Sequence, residues 1–328
     1  MKVIDLINSS KSTAFSFEIL PPLKGNSIQK VYNVIDKLIE FDPKYINITS
    51  HHSEYIYKTL PDGSFQKINI RKRPGSVAIA SAIQNKYGIT AVPHIICKGF
   101  TKDETEYALI DLNFLGVYDL LLLRGDVKTL EAGQKTDIYH EHATDLQQQV
   151  NDFNKGIAID GSAFEANETP FSYGMACYPE KHEEAPNMDS DIFYLKEKVK
   201  NGADYLVTQM FFDNEKYYAF VDRCRAEGIT VPIIPGIKPI VFKNQLTVLP
   251  KIFRSDIPEP FAKIFRSDIP EPFATELRKC KTDDEAKAVG VEWCIQQCKD
   301  LIAHGVPSLH FYTMMASDSV YKVAKEVY

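Results

Sequence analysis

The chain has no apolar run near the roughly 18 residues that a membrane-spanning helix requires. Even Leu120–Leu123 stops on Arg124. A nucleotide-binding glycine fingerprint is also missing. Neither G-x-G-x-x-G nor G-x-x-x-x-G-K-[ST] occurs, which excludes a Rossmann turn and a P-loop, so any nucleotide must be held by other loops. Positive charge is not in excess: 38 Lys and Arg against 44 Asp and Glu leave a formal charge of −6, with nothing to hold DNA or an acidic membrane. The six cysteines (97, 177, 224, 280, 294 and 298) form no paired framework, and only Cys294 and Cys298 share a helix face, which indicates buried thiols in a reducing compartment. His140-x-His142 has no third ligand at a convincing spacing, so no metal is expected. These absences predict a cytoplasmic protein without metal, nucleic acid or membrane.

What is present is a recurring alternation. Short β-rich apolar runs lie at 14–20, 45–50, 90–97, 119–125, 172–179, 205–212, 232–238 and 308–314. Helix-length amphipathic segments separate them, near 27–41, 73–87, 102–115, 143–155, 189–201, 215–227, 242–252 and 285–304, with Thr101, Thr144 and Asp189 as candidate opening residues. Eight such strands in 328 residues fit an α/β fold, a (β/α)8 TIM barrel forming a single domain over 1–328. A doubly wound sheet would usually bring fewer strands and the missing fingerprint.

A barrel gathers its chemistry at the C-terminal ends of its strands, and here those ends are polar. Glu18 precedes Pro21-Pro22, Thr49 closes the second strand, His94 lies in the third, and Arg124-Gly125-Asp126 ends the fourth. Tyr178 closes the fifth, and the sixth holds Gln209. This reading explains DLLLLRGD (119–126): the leucines are a strand packed on both faces, and the polar tripeptide is where it surfaces. One feature fits no such role. KIFRSDIPEPFA at 251–262 recurs letter for letter at 263–274, too short and too proline-rich for a solenoid unit. It is read as a local tandem duplication between strands 7 and 8, one copy of which should bulge onto the surface.

Taken in order, FSFEILPP (15–22), LLLLRGD (120–126), ACYPEKHEEA (176–185), TQMFFD (208–213), IIPGIKPI (233–240) and HFYT (310–313) resemble the methylenetetrahydrofolate reductases, over nearly the whole chain. The resemblance implies the catalytic barrel without the regulatory domain that eukaryotic members add. It implies an FAD-dependent enzyme that reduces 5,10-methylenetetrahydrofolate to 5-methyltetrahydrofolate. Hydride would come from NAD(P)H through the flavin by a ping-pong exchange, in a protein that is a possible homo-oligomer serving one-carbon metabolism and methionine biosynthesis.

By this resemblance Glu18 matches the general acid that helps open the folate's five-membered ring, and Asp126 a residue that contacts the pterin near the flavin. Gln209 and Gln245 match side chains that hold the folate. Thr49, His94, Arg124, Gly125, Asp126, His142, Ala143, Tyr178, His182, Ala185, Asp191 and Lys198 match flavin-binding positions, with Arg124 and Lys198 as phosphate partners by charge. Two departures stand out. Leu249 occupies the position of an aromatic lid residue, and Met314, Met315 and Ala316 follow HFYT where the family often has a basic residue. The alternatives are another FAD barrel, of the proline dehydrogenase kind, or a catalytically impaired barrel that binds flavin or folate; the first would not predict Glu18 and Gln209 as a folate pair.

Overall fold

The computed structural model describes residues 1–51, 54–125, 138–182, 184–252, 271–314 and 317–328. Its elements begin with α1 (Val3–Ser9), β1 (Ala14–Ile19), α2 (Gln29–Leu38), β2 (Tyr45–Ile48), β3 (Glu54–Thr59), β4 (Phe65–Ile70), α3 (Ser76–Tyr87), β5 (Thr90–Ile96), α4 (Lys102–Phe114) and β6 (Asp119–Leu123). They continue with α5 (Ala143–Asn154), β7 (Ser172–Cys177), α6 (Met188–Lys200), β8 (Tyr205–Thr208), α7 (Asn214–Ala226), β9 (Ile233–Ile234) and β10 (Gly236–Ile237). The last are α8 (Gln245–Ile252), α9 (Glu271–Lys279), α10 (Asp283–Ala303), β11 (Ser308–Tyr312) and α11 (Ser317–Val327).

The main sheet has the order β10-β11-β1-β2-β5-β6-β7-β8-β9. β9 and β10 are two pieces of one strand separated by Pro235, which has no amide proton to give to a ladder. The order therefore returns to its starting strand, and the connectivity is that of a (β/α)8 barrel. All eight anticipated strands are present, within one to four residues of their expected ends.

The chain divides into two compact units. The first comprises Met1–Val3, Ile19–Ile35 and Tyr45–Gly174. Within it β2 pairs in parallel with β5, from Tyr45 opposite Thr90 to Ile48 opposite Pro93, and β5 pairs with β6, with His94 opposite Leu121. Leu120, Leu121 and Leu122 are all buried, so both faces of β6 are packed, as a continuous leucine run requires. Thr101 opens α4 with a reciprocal capping box to Glu104. The β3–β4 hairpin was not anticipated; it pairs antiparallel from Glu54 opposite Ile70 to Thr59 opposite Phe65.

The second unit comprises Ile4–Glu18, Asp36–Lys44 and Met175–Tyr328. Here β1 pairs in parallel with β11, and β10 with β11. The alternate residues Phe15 and Phe17 are buried against Phe311, with the Phe15 and Phe311 rings 5.5 Å apart. A second apolar cluster joins Met210, Phe212, Ile240, Leu249, Phe273 and Leu277. Phe273 stacks on Trp293 at 4.6 Å, and the indole nitrogen donates to the Phe212 carbonyl at 3.1 Å. Two helix starts differ from expectation: His142 rather than Thr144 caps α5, and Asn187 rather than Asp189 caps α6 through a bond from the Ser190 amide.

The duplicated segment is divided between what is described and what is not. Lys251 and Ile252 of the first copy end α8, and Glu271–Ala274 of the second copy begin α9, where Phe273 and Ala274 are buried. The expected surface bulge falls on 253–270, outside the described residues.

Candidate functional site

In the second unit the site is built on three adjacent strand ends. Glu18 stands opposite Tyr312, Phe17 opposite Phe311, and Phe311 opposite Ile237. Side chains alternate along a strand, so the row Phe17–Phe311–Ile237 supplies the core, and all three are fully buried. Glu18 and Tyr312 belong to the next row, and Lys238, one residue beyond Ile237, comes level with them.

Glu18 is only 6% exposed and Lys238 the same. Burial raises the Glu18 pKa from its ordinary value to about 8, and the nearby charge of Lys238 pulls it part of the way back. Burial also lowers Lys238, against the opposing pull of Glu18. The Thr313 hydroxyl donates to the Glu18 carbonyl at 2.5 Å and fixes the backbone at the strand end. Two rows deeper, the fully buried His310 is held neutral, with its pKa pushed down to about 3 by burial, and its Nδ1 lies 3.0 Å from the Ser16 hydroxyl.

The next strands connect to the same framework. The Tyr312 hydroxyl donates to the Thr208 carbonyl at 2.6 Å, and the Gly236 amide donates to the Thr208 hydroxyl at 2.9 Å. A Cβ at Gly236 would overlap the Thr208 carbonyl oxygen and lie 2.6 Å from the Tyr312 hydroxyl oxygen. Only glycine allows this approach. Gln209 follows Thr208, with its amide donating to the Cys177 carbonyl at 2.8 Å and its Oε1 accepting from the Met210 amide at 2.9 Å. Gln245 uses Oε1 to accept from the Val241 and Phe242 amides at 2.7 and 3.0 Å, so its carbonyl organises the start of α8.

The remaining predicted residues of this unit form a second group. The Tyr178 and His182 rings meet edge-on at 4.7 Å, and Asp191 accepts from the His182 amide at 2.8 Å. Lys181 donates to the carbonyls of His182 and Ala185, and Lys198 to that of Ala176 at 3.0 Å. Leu249 is 6% exposed within the apolar cluster. It thus serves as a core side chain where an aromatic lid was the family expectation.

In the first unit, Thr49 donates its amide to the Ile19 carbonyl at 3.0 Å and has its hydroxyl 3.3 Å from the His51 ring. His94 is buried in β5. Arg124 donates through Nε to the Glu141 carbonyl at 3.3 Å, which ties the end of β6 to the approach to α5. Gly125 has a φ of +80°, and a Cβ there would press on Ile96 at 3.3 Å. His142 and Ala143 form the α5 start, where the Asp145 carboxylate accepts from the His142 amide at 2.8 Å. Asp126 and Ala316 lie outside the described residues. His140 is committed to Gln149, 2.5 Å away, and among the described residues no cluster of three metal-ligating side chains exists.

The donor set fits a flavin dinucleotide in kind. Arg124 in one unit and Lys198 in the other are partly buried cations suited to phosphates, and Gly125 keeps a strand end free of a side chain. Sequence reasoning passed over Lys238, although the rule that exposed Glu18 applies to it equally: a charged residue directly after an apolar strand piece, here held between Ile237 and Pro239.

Fold and site together define an α/β barrel protein with a protonatable carboxyl buried at its strand ends. The chain matches the methylenetetrahydrofolate reductase family model over residues 2–328, and it belongs to that family. It is similar to 5,10-methylenetetrahydrofolate reductase of Escherichia coli K12, 29% identical, covering 94% of this chain and 88% of that protein. It is also similar to methylenetetrahydrofolate reductase (NADH) 1 of Arabidopsis thaliana, 30% identical over 97% of this chain and 49% of that one, and to a probable NADPH enzyme of Caenorhabditis elegans, 29% identical over 99% and 43%. The chain thus spans about half the length of these eukaryotic relatives. Among solved structures, an uncharacterised Clostridium thermocellum protein that binds two copies of 5-methyl-5,6,7,8-tetrahydrofolic acid shares the fold, with a TM-score of 0.52, 15% identity and 98% coverage of each chain.

Proposed function

We propose that this chain reduces 5,10-methylenetetrahydrofolate to 5-methyltetrahydrofolate, with FAD as cofactor and NAD(P)H as electron donor in a ping-pong cycle. The observation that carries the reading is Glu18, a carboxyl that burial keeps protonated near neutral pH at the position matching the family's acid. Family membership and the reductases of similar sequence support the substrate. The folate bound by the structural neighbour agrees with that class.

When bound, FAD would supply the two-electron carrier between nicotinamide and folate, held by Thr49, His94, Arg124, Gly125, His142 and Ala143 together with Tyr178, His182, Ala185, Asp191 and Lys198. Asp126 is included in the proposal on its sequence match alone. The protein's own part is positional and protonic. Glu18 delivers its proton to a nitrogen of the folate's five-membered ring, favouring opening to an iminium whose methylene accepts hydride. Gln209 offers an amide to the pterin's mixed donor and acceptor edge, and Gln245 supports the same ligand from the start of α8. The six cysteines, all free and buried, support a reducing, cytoplasmic setting.

The test is direct. Purified protein should carry flavin absorbance, bleach under anaerobic NADH or NADPH, and recover its colour on addition of methylenetetrahydrofolate. Protein that takes up no FAD but binds folate would identify a silent binding barrel, and a flavin that folate cannot reoxidise would point to another FAD barrel.

A further inference from the structure

Lys238 occupies a place at which an ammonium is costly. It is 6% exposed, and burying a lone charge in a protein interior costs several kcal/mol unless it is compensated. Its backbone is also unusually constrained. Pro239 follows it and restricts it to extended conformations, while two residues earlier Gly236 is clamped by Thr208 and Tyr312. The β10–β11–β1 register then brings Lys238 level with Glu18 across Tyr312.

Several of the neighbouring groups in the same unit are committed elsewhere. From β11 come Tyr312, whose hydroxyl is given to Thr208, and His310, which is held neutral beside Ser16. From the loop after β11 comes the uncharged Thr313. β8 ends on the uncharged Thr208 and is followed by the uncharged Gln209. Among the described residues, Lys238 is the charged group whose field reaches Glu18, and Glu18 the one whose field reaches Lys238.

We propose that Lys238 is a positioning residue that acts through Glu18 by its charge, stabilising the carboxylate left when Glu18 has given its proton to substrate. This rests on the reading of Glu18 as the acid. Burial alone would make Glu18 a reluctant acid. The Lys238 charge offsets that without removing the proton at rest, and the carboxylate regains a proton from water once product leaves.

The experiment is a 13C NMR titration of holoenzyme labelled at the glutamate side-chain carboxyls. The Glu18 signal is assigned by its loss in E18Q, and the titration is repeated in K238M, K238Q and K238R. The Glu18 midpoint should rise by about one unit, a tenfold weaker acid, in K238M and K238Q and return toward the native value in K238R. The alkaline limb of the folate-reduction rate should move with it. A Glu18 midpoint unchanged in both K238M and K238Q overturns the proposal. If the midpoint moves but E18Q still reduces folate at the native rate, Lys238 does control Glu18 and it is the acid assignment that fails.

Discussion

At the scale of the residue, burial does most of the chemistry. With its pKa raised to about 8, Glu18 keeps its proton in the folded chain over a range in which the unfolded chain, near 4.5, has lost it. The folded state therefore binds more protons across that window, and stability must fall as pH rises from about 4.5 to 8, by up to roughly 1.4 kcal/mol for each pH unit. Glu18→Gln should flatten this decline, which urea unfolding at pH 5 and pH 8 would reveal; a variant with the native slope would contradict the burial account. His310 works in the opposite sense. Its folded pKa lies near 3, below the ordinary 6.5, so its contribution is complete above pH 6.5 and is lost as pH falls toward 3. His310→Gln should lessen acid destabilisation between pH 6 and 4, measured by thermal unfolding, even if it costs stability at neutrality through the lost Ser16 contact. Glu18 stood out in the sequence as an acid at the end of an apolar run, and the structure buries it there. Lys238 could have been picked out by the same rule, but its relation to Glu18 was not legible, because only the β10–β11–β1 register brings it level with that residue.

At the scale of the element, close backbone approaches decide what can change. Gly290 lies inside α10, where alanine would ordinarily gain about 1 kcal/mol of helix propensity. A Cβ there would overlap the backbone carbonyl of Ile240, which cannot rotate away as a side-chain tip can. Overpacking of this kind costs about 1–3 kcal/mol, so Gly290→Ala should lower the unfolding free energy in urea; equal or greater stability would contradict the packing. The strands that sequence patterning located are those buried on both faces, such as β6. The β3–β4 hairpin escaped because it follows the other strand pattern, with Ile56, Tyr57 and Phe65 exposed rather than gathered into a buried run. The break of the seventh strand at Pro235 escaped for a different reason. Its two halves serve different neighbours, β8 and β11, a division set by pairing and not by composition.

At the scale of the whole molecule, the repeated dodecapeptide is tested by removing it. Lys251-Ile252 of the first copy ends α8, and Glu271–Ala274 of the second begins α9, so deleting 253–264 leaves one complete KIFRSDIPEPFA with both helix ends intact. The connection shortens from eighteen residues to six, within the usual range for helix–helix connections. Loop closure then favours the shorter chain by about 1 kcal/mol. Calorimetry should show an equal or higher Tm, and a lower one would mean that the extra twelve residues make contacts the fold needs. Barrel connectivity and family membership were legible from the order of the strands and their polar ends. What was not legible was the electrostatic balance at those ends, since it depends on which strands become neighbours.

The account stands or falls on Glu18 as the proton donor to folate, and anaerobic stopped-flow of Glu18→Gln measures this most directly. Reduction of the bound flavin by nicotinamide should proceed at close to the native rate, while reoxidation by methylenetetrahydrofolate should slow by about 100-fold or more, the usual span of general acid catalysis. Native reoxidation, or an equal loss in both half-reactions, would contradict it.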